Sequence, residues 1–166
     1  MFTPTPTSSR IFLSWSNQDR KLKEALLADL LPALGLLRGV RIEWWEDSHL
    51  TCGEDLLPGI VGRLDEADYG LLLLSTRYLG SEFIRRHELP RFAGLEADKR
   101  SFPVALGPMP RSGQRWDLHG IERQSIFHER DKSFAELSGA SRRVFAVNLA
   151  DVIGRRLHGG KGYQQL

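Results

Sequence analysis

Residues 71–88, with the sequence LLLLSTRYLGSEFIRRHE, decide the fold of this chain. The four leucines form an apolar run too short for a helix, which is typical of a strand buried on both faces of a parallel sheet. Ser81 then predicts a helix N-cap, and the helix that follows places Ile84, Glu88 and Phe92 on one stripe. Open α/β sheets bind ligands near the carboxyl ends of their central strands, so a carboxylate at this place is a functional candidate.

Length and composition predict one globular domain. The chain has 166 residues, of which 41% are hydrophobic, and its 23 basic and 21 acidic side chains leave a net charge of +2, too small to indicate a nucleic-acid partner. The single cysteine, Cys52, cannot form an intrachain disulfide, which favours a reducing compartment. No apolar run approaches the roughly 20 residues of a membrane span, and the start of the chain lacks the features of a signal peptide. We therefore expect a cytoplasmic protein with no direct nucleic-acid or membrane partner.

Five predicted strands alternate with predicted helices along the chain. The strands are expected at residues 10–15, 40–45, 71–74, 102–106 and 125–128. The helices are expected from residue 17 or 19 to 33, at 54–66, from 81 to as far as 97, and at 141–157. This alternation predicts an α/β fold with an open parallel five-stranded sheet, most simply in the order 2-1-3-4-5, and helices on both faces. The proline-rich residues 1–9 are expected to form a disordered arm, residues 10–158 the domain, and residues 159–166 a loose tail.

The common catalytic signatures are absent from the sequence. It contains no GxGxxG after a strand, no P-loop, no HExxH and no GxSxG. Its five histidines show no metal-ligand spacing, so we expect no metal site.

Three segments in order resemble the bacterial branch of the Toll/interleukin-1 receptor (TIR) domain family. They are FLSWSNQD at 12–19, WWEDSHLTCG at 44–53, and LLSTRYLGSEFIRRHEL at 73–89. The resemblance covers about residues 10–157 and is stronger before residue 92. The chain departs from the family pattern at four positions. Glu46 stands where Asp is more usual, Trp15 where Tyr is common, Phe83 where Trp is common, and Pro90 is expected to kink or end the helix just beyond the acid.

The resemblance implies a flavodoxin-like fold and cleavage of the nicotinamide–ribose bond of NAD+, which is then a substrate, with no separate cofactor. It places Glu88 at the position of the family's catalytic glutamate. Nicotinamide is a cationic leaving group that departs neutral, so one carboxylate can suffice, acting electrostatically on the charge that develops at the anomeric carbon. The product would be ADP-ribose or a cyclic isomer. The resemblance further implies activation by self-association with other TIR domains and a role in bacterial defence or virulence signalling.

The other candidate residues fall into two groups. Substrate contacts are expected from Ser14, Trp15, Ser16, Asn17, Glu46, Asp47, Leu50, Ser81 and Ile84. An interaction loop that gates the pocket and packs against neighbouring TIR domains is expected to contain His49, Thr51, Cys52 and Gly53.

Several alternatives stay open at this point. Glu88 could instead be a solvated helix residue, and Asn17 could act only as a helix cap. Gly53 could serve only a turn that needs backbone freedom. Arg77, Arg85 and Arg86 either meet a pyrophosphate or form a solvated face. The whole chain could instead be a non-enzymatic TIR adaptor that docks through residues 46–53. A receiver-like domain is disfavoured, because the acidic residues of a receiver are absent after the first and third strands.

Overall fold

The computed structural model describes residues 7–46, 56–95, 97–110 and 114–159. Its centre is a four-stranded parallel sheet in the order β2-β1-β3-β4. The strands are β1 (Thr7–Ser14), β2 (Val40–Trp45), β3 (Tyr69–Leu74) and β4 (Arg100–Ala105). The predicted α/β class and the order of the first four strands are therefore confirmed. The first strand begins earlier than expected, because Thr7 already pairs with Val40.

Helices cover both faces of the sheet, as predicted. The α-helices are α1 (Arg20–Leu34), α2 (Leu56–Glu66), α3 (Thr76–Gly80), α4 (Leu89–Phe92) and α5 (Ala140–Gly159), with a π-helical turn at Ile84–Glu88 and 3-10 turns at Asn17–Asp19, Ile121–Arg123 and Phe134–Glu136. One core packs α1 and α5 against one face, and the other packs α2, α3, the π turn and α4 against the opposite face. Among the described residues, no helix combines the length and apolarity needed to cross a bilayer.

The central strand β3 is buried along its whole length, which explains its unbroken run of leucines. Leu71 and Leu73 lie in the core with α1 and α5, while Leu72 and Leu74 lie in the opposite core. Glycine is required at position 70 because the Phe92 ring packs directly against the backbone there. A Cβ at this position would come within 2.6 Å of the ring. The sheet and α4 are thus in direct contact beneath the segment that carries Glu88.

The predicted fifth strand was wrong in extent. Residues 125–128 form no strand, and only Phe127 makes a parallel bridge, to Val104 of β4. The Phe127 N–H donates to the Pro103 carbonyl, and the Phe127 carbonyl accepts from Ala105. Extending this ladder toward Ser125 would need an N–H on Pro103, which proline lacks. The ladder therefore ends after two hydrogen bonds.

Two helices bury most of the apolar residues that their sequence pattern predicts to face inward, but not all of them. Leu149, Ile153 and Leu157 of α5 and Ile60 and Leu64 of α2 are buried as expected. Val144 and Val147 of α5 are 53% and 55% exposed. The buried stripe consists of Phe145, Ala146, Leu149, Ala150, Ile153, Gly154 and Leu157. Small residues on this stripe let α5 approach the core closely, and a Cβ on Gly154 would come within 2.5 Å of Leu37. In α2, Leu57 is likewise exposed instead of inward-facing.

The helical segment after Ser81 is shorter than its longest predicted extent. It ends at Phe92, because Ala93 adopts extended backbone angles and Gly94 has a φ of 92°, a left-handed conformation that favours glycine. The short helix α3 was not predicted. Ser75 caps it by accepting a hydrogen bond from the Tyr78 N–H at 3.0 Å.

Candidate functional site

Glu88 lies at the carboxyl end of the sheet with its side chain turned inward. The residue is only 4% exposed, and its Oε1 accepts a hydrogen bond of 2.7 Å from the Ser14 hydroxyl at the end of β1. The Ser14 oxygen also lies 2.8 Å from the hydroxyl of fully buried Tyr78. Because Ser14 gives its one hydroxyl hydrogen to Glu88, Tyr78 must donate to Ser14. Three buried side chains thus form a chain of hydrogen bonds that ends on one carboxylate oxygen.

The phenol of Tyr78 is held in its neutral, hydrogen-donating form. Burial is the largest cause that raises the pKa of Tyr78, the hydrogen bond with Ser14 opposes the rise, and the negative charge of Glu88 adds to it. A neutral phenol keeps its hydrogen available for Ser14.

The π turn at Ile84–Glu88 fixes the backbone that carries Glu88. Ser81 caps this segment as predicted, with its Oγ accepting from the Ile84 N–H at 3.3 Å. The Leu89 N–H donates to the Ile84 carbonyl, five residues back, which widens the turn. Of the two effects expected of Pro90, an end of the helix is wrong, because the helix resumes as α4, where the Ala93 N–H donates to the Leu89 carbonyl at 2.9 Å. The wide turn accommodates the missing N–H of Pro90 within a continuous segment.

Glu88 borders an open cleft of about 590 Å³. Six of the residues predicted for the site line it: Trp15, Ser16, Asn17, Ser81, Ile84 and Glu88. Four further lining residues were not predicted from the sequence: Gln18, Ile60, Gly80 and Phe83. Arg77, for which a pyrophosphate contact and a solvated face both stayed open, also lines the cleft. The volume lies within the range of small-molecule sites, and the walls mix apolar rings with a few polar groups, as such sites do.

Two predicted contact residues lie behind the cleft instead of lining it. Ser14 is fully buried and contacts Glu88 and Tyr78. Glu46 is 8% exposed and accepts a 2.6 Å hydrogen bond from the Trp15 indole N–H. The Lys23 ammonium lies 3.3 Å from Glu46 and 4.3 Å from the centre of the Trp15 ring, so these two residues hold the tryptophan that forms one wall.

The remaining predicted residues, Asp47, Leu50, His49, Thr51, Cys52 and Gly53, lie outside the described part of the chain.

A second polar network joins the ends of β1 and β3. The Ser75 hydroxyl donates to Asp19, whose carboxylate is almost fully buried. Arg77 lies 3.7 Å from the same carboxylate and donates to the Gln18 carbonyl at 2.9 Å. A helix start at residue 19 predicts that Asp19 caps α1, but its side chain makes no cap hydrogen bond there. Ser16 instead caps the preceding 3-10 turn by accepting from the Gln18 N–H at 3.3 Å.

The sequence held a signal for this network that the predictions did not use. Polar residues follow β1 at Ser16–Asp19 and follow β3 at Ser75, and the predicted strand order makes these strands neighbours. Residues at the carboxyl ends of adjacent parallel strands meet at one edge of the sheet.

The lining residues suit electrostatic chemistry by one carboxylate. Among the described residues that line the cleft, Glu88 is the single acid, and no histidine or cysteine accompanies it. The described ranges also hold no cluster of three or more His, Cys, Asp or Glu side chains able to bind a metal ion. No family model matches the chain, and a search among curated proteins found no significant match.

Proposed function

We propose that this chain is a TIR-type domain that hydrolyses the nicotinamide–ribose bond of NAD+, with Glu88 as the catalytic carboxylate. One observation carries the proposal: the single acid lining the described part of the cleft is 4% exposed and is oriented by a buried hydroxyl at 2.7 Å. The proposal also draws on the three sequence segments that resemble TIR domains.

The reaction needs little from the protein besides charge and position. The bond from the anomeric carbon to the nicotinamide nitrogen breaks with its electron pair going to nicotinamide, which leaves neutral. Positive charge then develops on the ribose, and the Glu88 carboxylate, which is itself almost fully buried, stabilises this charge more strongly than a solvated carboxylate would. Water adds to the anomeric carbon and loses a proton, giving ADP-ribose; capture by a group of the same substrate gives a cyclic isomer.

The cleft offers complementary walls for the two parts of the reacting end. Trp15, Ile60 and Phe83 give apolar surface for the nicotinamide ring, and Ser16 and Asn17 give polar groups for ribose hydroxyls.

The decisive test compares nicotinamide release by the wild type with that by Glu88→Gln, which keeps the shape of the side chain and removes its charge. We expect turnover to fall by a factor on the order of 10² to 10³, the usual effect of removing one electrostatic stabiliser. Glu82→Gln is the matched control: Glu82 lies six residues earlier, is 67% exposed and pairs with Arg86, so its neutralisation should leave turnover unchanged. The assay should cover a wide range of protein concentration, because the resemblance implies activation by self-association.

Equal turnover in the wild type and Glu88→Gln would remove Glu88 from the catalytic role. A wild type that self-associates yet leaves NAD+ intact at every concentration would instead favour a docking module.

A further inference from the structure

The cleft beside Glu88 does not end at Arg77. A second cleft of about 400 Å³ lies on the other side of this side chain, lined by Asn17, Gln18, Asp19, Arg20, Lys21, Leu22 and Arg77. The two clefts share Asn17, Gln18 and Arg77. Arg77 thus forms a ridge between a cleft that contains a carboxylate and one that contains two further cations.

Arg77 is held in place on this ridge while it stays accessible. Its Nη1 donates to the Gln18 carbonyl at 2.9 Å and lies 3.7 Å from Asp19, yet the side chain is 59% exposed. Both contacts use the same nitrogen, so the remaining N–H groups of the guanidinium are available for a planar, two-pronged contact with an anion.

The electrostatics of the second cleft favour an anion. Arg20, Lys21 and Arg77 contribute three positive charges. The one acid among the lining residues, Asp19, is almost fully buried and already accepts a hydrogen bond from Ser75. In the described part of the chain, the surface that a ligand would meet beyond the Glu88 cleft is therefore cationic.

We propose that Arg77 binds a phosphate group of the ligand and that the second cleft holds the nucleoside beyond that phosphate. This inference rests on the proposed function for the reacting end. The ribose that becomes cationic lies at Glu88, the phosphates cross Arg77, and the distal nucleoside extends over Arg20 and Lys21. The opposite charges at Glu88 and Arg77 then set the direction in which the ligand lies.

The test measures direct binding of ADP and of adenosine to the folded wild-type protein by calorimetry. We expect the wild type to bind ADP more tightly than adenosine. Arg77→Gln should lower the affinity for ADP by about tenfold or more, because a charged hydrogen-bond partner of the phosphate is lost, and should leave the affinity for adenosine unchanged. Raising the salt concentration should weaken ADP binding more in the wild type than in Arg77→Gln. Lys21→Gln, at the edge of the second cleft, should have a smaller effect in the same direction.

Arg86→Gln is the matched control, because Arg86 is 70% exposed, pairs with Glu82 and lines neither cleft. ADP affinity that is equal in the wild type and Arg77→Gln, or no higher than adenosine affinity, would overturn the proposal. The two proposals fail separately. If the wild type leaves NAD+ intact but Arg77→Gln binds ADP more weakly than the wild type does, the proposed anion site is supported and the proposed hydrolase activity is not. If NAD+ is hydrolysed with the same KM by Arg77→Gln, the hydrolase stands and the anion site does not.

Discussion

Ser14 is the residue on which the geometry of the carboxylate depends most directly. It stands at the last position of β1, fully buried, and its hydroxyl receives a hydrogen bond from Tyr78 and donates one to Glu88. Because Tyr78 lies on α3 and Glu88 on the π turn, Ser14 links the end of β1 to the segment that follows β3 through one oxygen. It is a positioning residue, since it lies behind the cleft and Glu88 separates it from any bound ligand.

We expect Ser14→Ala to lower kcat for nicotinamide release by about tenfold with little change in KM, because an orienting hydrogen bond is lost while the cleft walls stay intact. Steady-state kinetics over a range of NAD+ concentrations would measure both constants. Ser9→Ala is the matched control, since Ser9 is a buried serine at the other end of the same strand. A rise in KM with unchanged kcat would mean instead that Ser14 contacts the substrate.

Individual residues were predicted well where position along a strand decides them. Ser16 and Asn17 line the cleft because they directly follow β1, and the sequence placed that strand end beside the acid. The roles of Ser14 and Glu46 could not be predicted, because they depend on Tyr78 and Lys23, which become neighbours only through packing. A polar residue near a cleft binds either ligand or protein, and the sequence alone does not distinguish these.

At the scale of elements, the segment with Glu88 is positioned by its contact with β3. Phe92 of α4 packs directly on Gly70, and the π turn that carries Glu88 continues into α4 without a break. A change in the spacing between β3 and α4 would therefore be transmitted to the carboxylate.

We expect Gly70→Ala to destabilise the fold by about 1–3 kcal/mol, because the added methyl group overlaps the Phe92 ring in a closely packed core. Urea unfolding would measure the change, and nicotinamide release should fall as α4 moves away. Gly62→Ala provides the contrast: a Cβ at Gly62 meets nothing within 4 Å, so the better helix propensity of alanine should stabilise α2 by about 0.5–1 kcal/mol. Equal stability of the two variants would contradict the close contact.

The elements themselves were predictable to differing degrees. Val40–Trp45 and the buried leucine strand follow from short apolar or alternating patterns, and both are present. The π turn could not be predicted, because a hydrogen bond five residues back has no residue pattern of its own. The fifth strand failed for a chemical reason that concerns its neighbour, since the missing N–H belongs to Pro103 of β4. In α5, the pattern correctly predicted that Leu149, Ile153 and Leu157 face inward, but it also placed Val144 and Val147 there, and both are exposed.

At the scale of the whole molecule, the sheet separates two hydrophobic cores. Tyr78 lies in one of them and is among the largest fully buried side chains. Burial chiefly raises its pKa, so the folded protein keeps the phenol neutral at a pH where an unfolded chain releases the proton. The unfolded phenol ionises near pH 10, and above that pH the unfolded state holds fewer protons than the folded state. The contribution of the neutral, buried Tyr78 phenol to the free energy of unfolding is therefore complete below about pH 10 and is lost as the pH rises further.

We expect the difference in unfolding free energy between the wild type and Tyr78→Phe to stay constant from pH 7 to 9. Above roughly pH 10 the wild type should lose about 1.4 kcal/mol per pH unit relative to Tyr78→Phe, the value for one proton. Denaturant unfolding at closely spaced pH values would measure this difference. Parallel curves throughout would mean that Tyr78 is solvated in the folded protein.

The two edge strands of the sheet differ in whether a second copy of the chain could pair with them. At the outer edge of β4, the Pro103 carbonyl already accepts a hydrogen bond from the Phe127 N–H, and the Ser101 carbonyl accepts one from Arg156. Pro103 also has no backbone N–H to donate to an added strand. Among the described strands, β2 has a partner on one side only. Among the described strands, β2 is therefore the edge at which a second copy could add by strand pairing, and such a pair would use that edge in both subunits. Within the described part of the chain, growth by that route stops at two copies, so a longer filament would need contacts other than strand pairing.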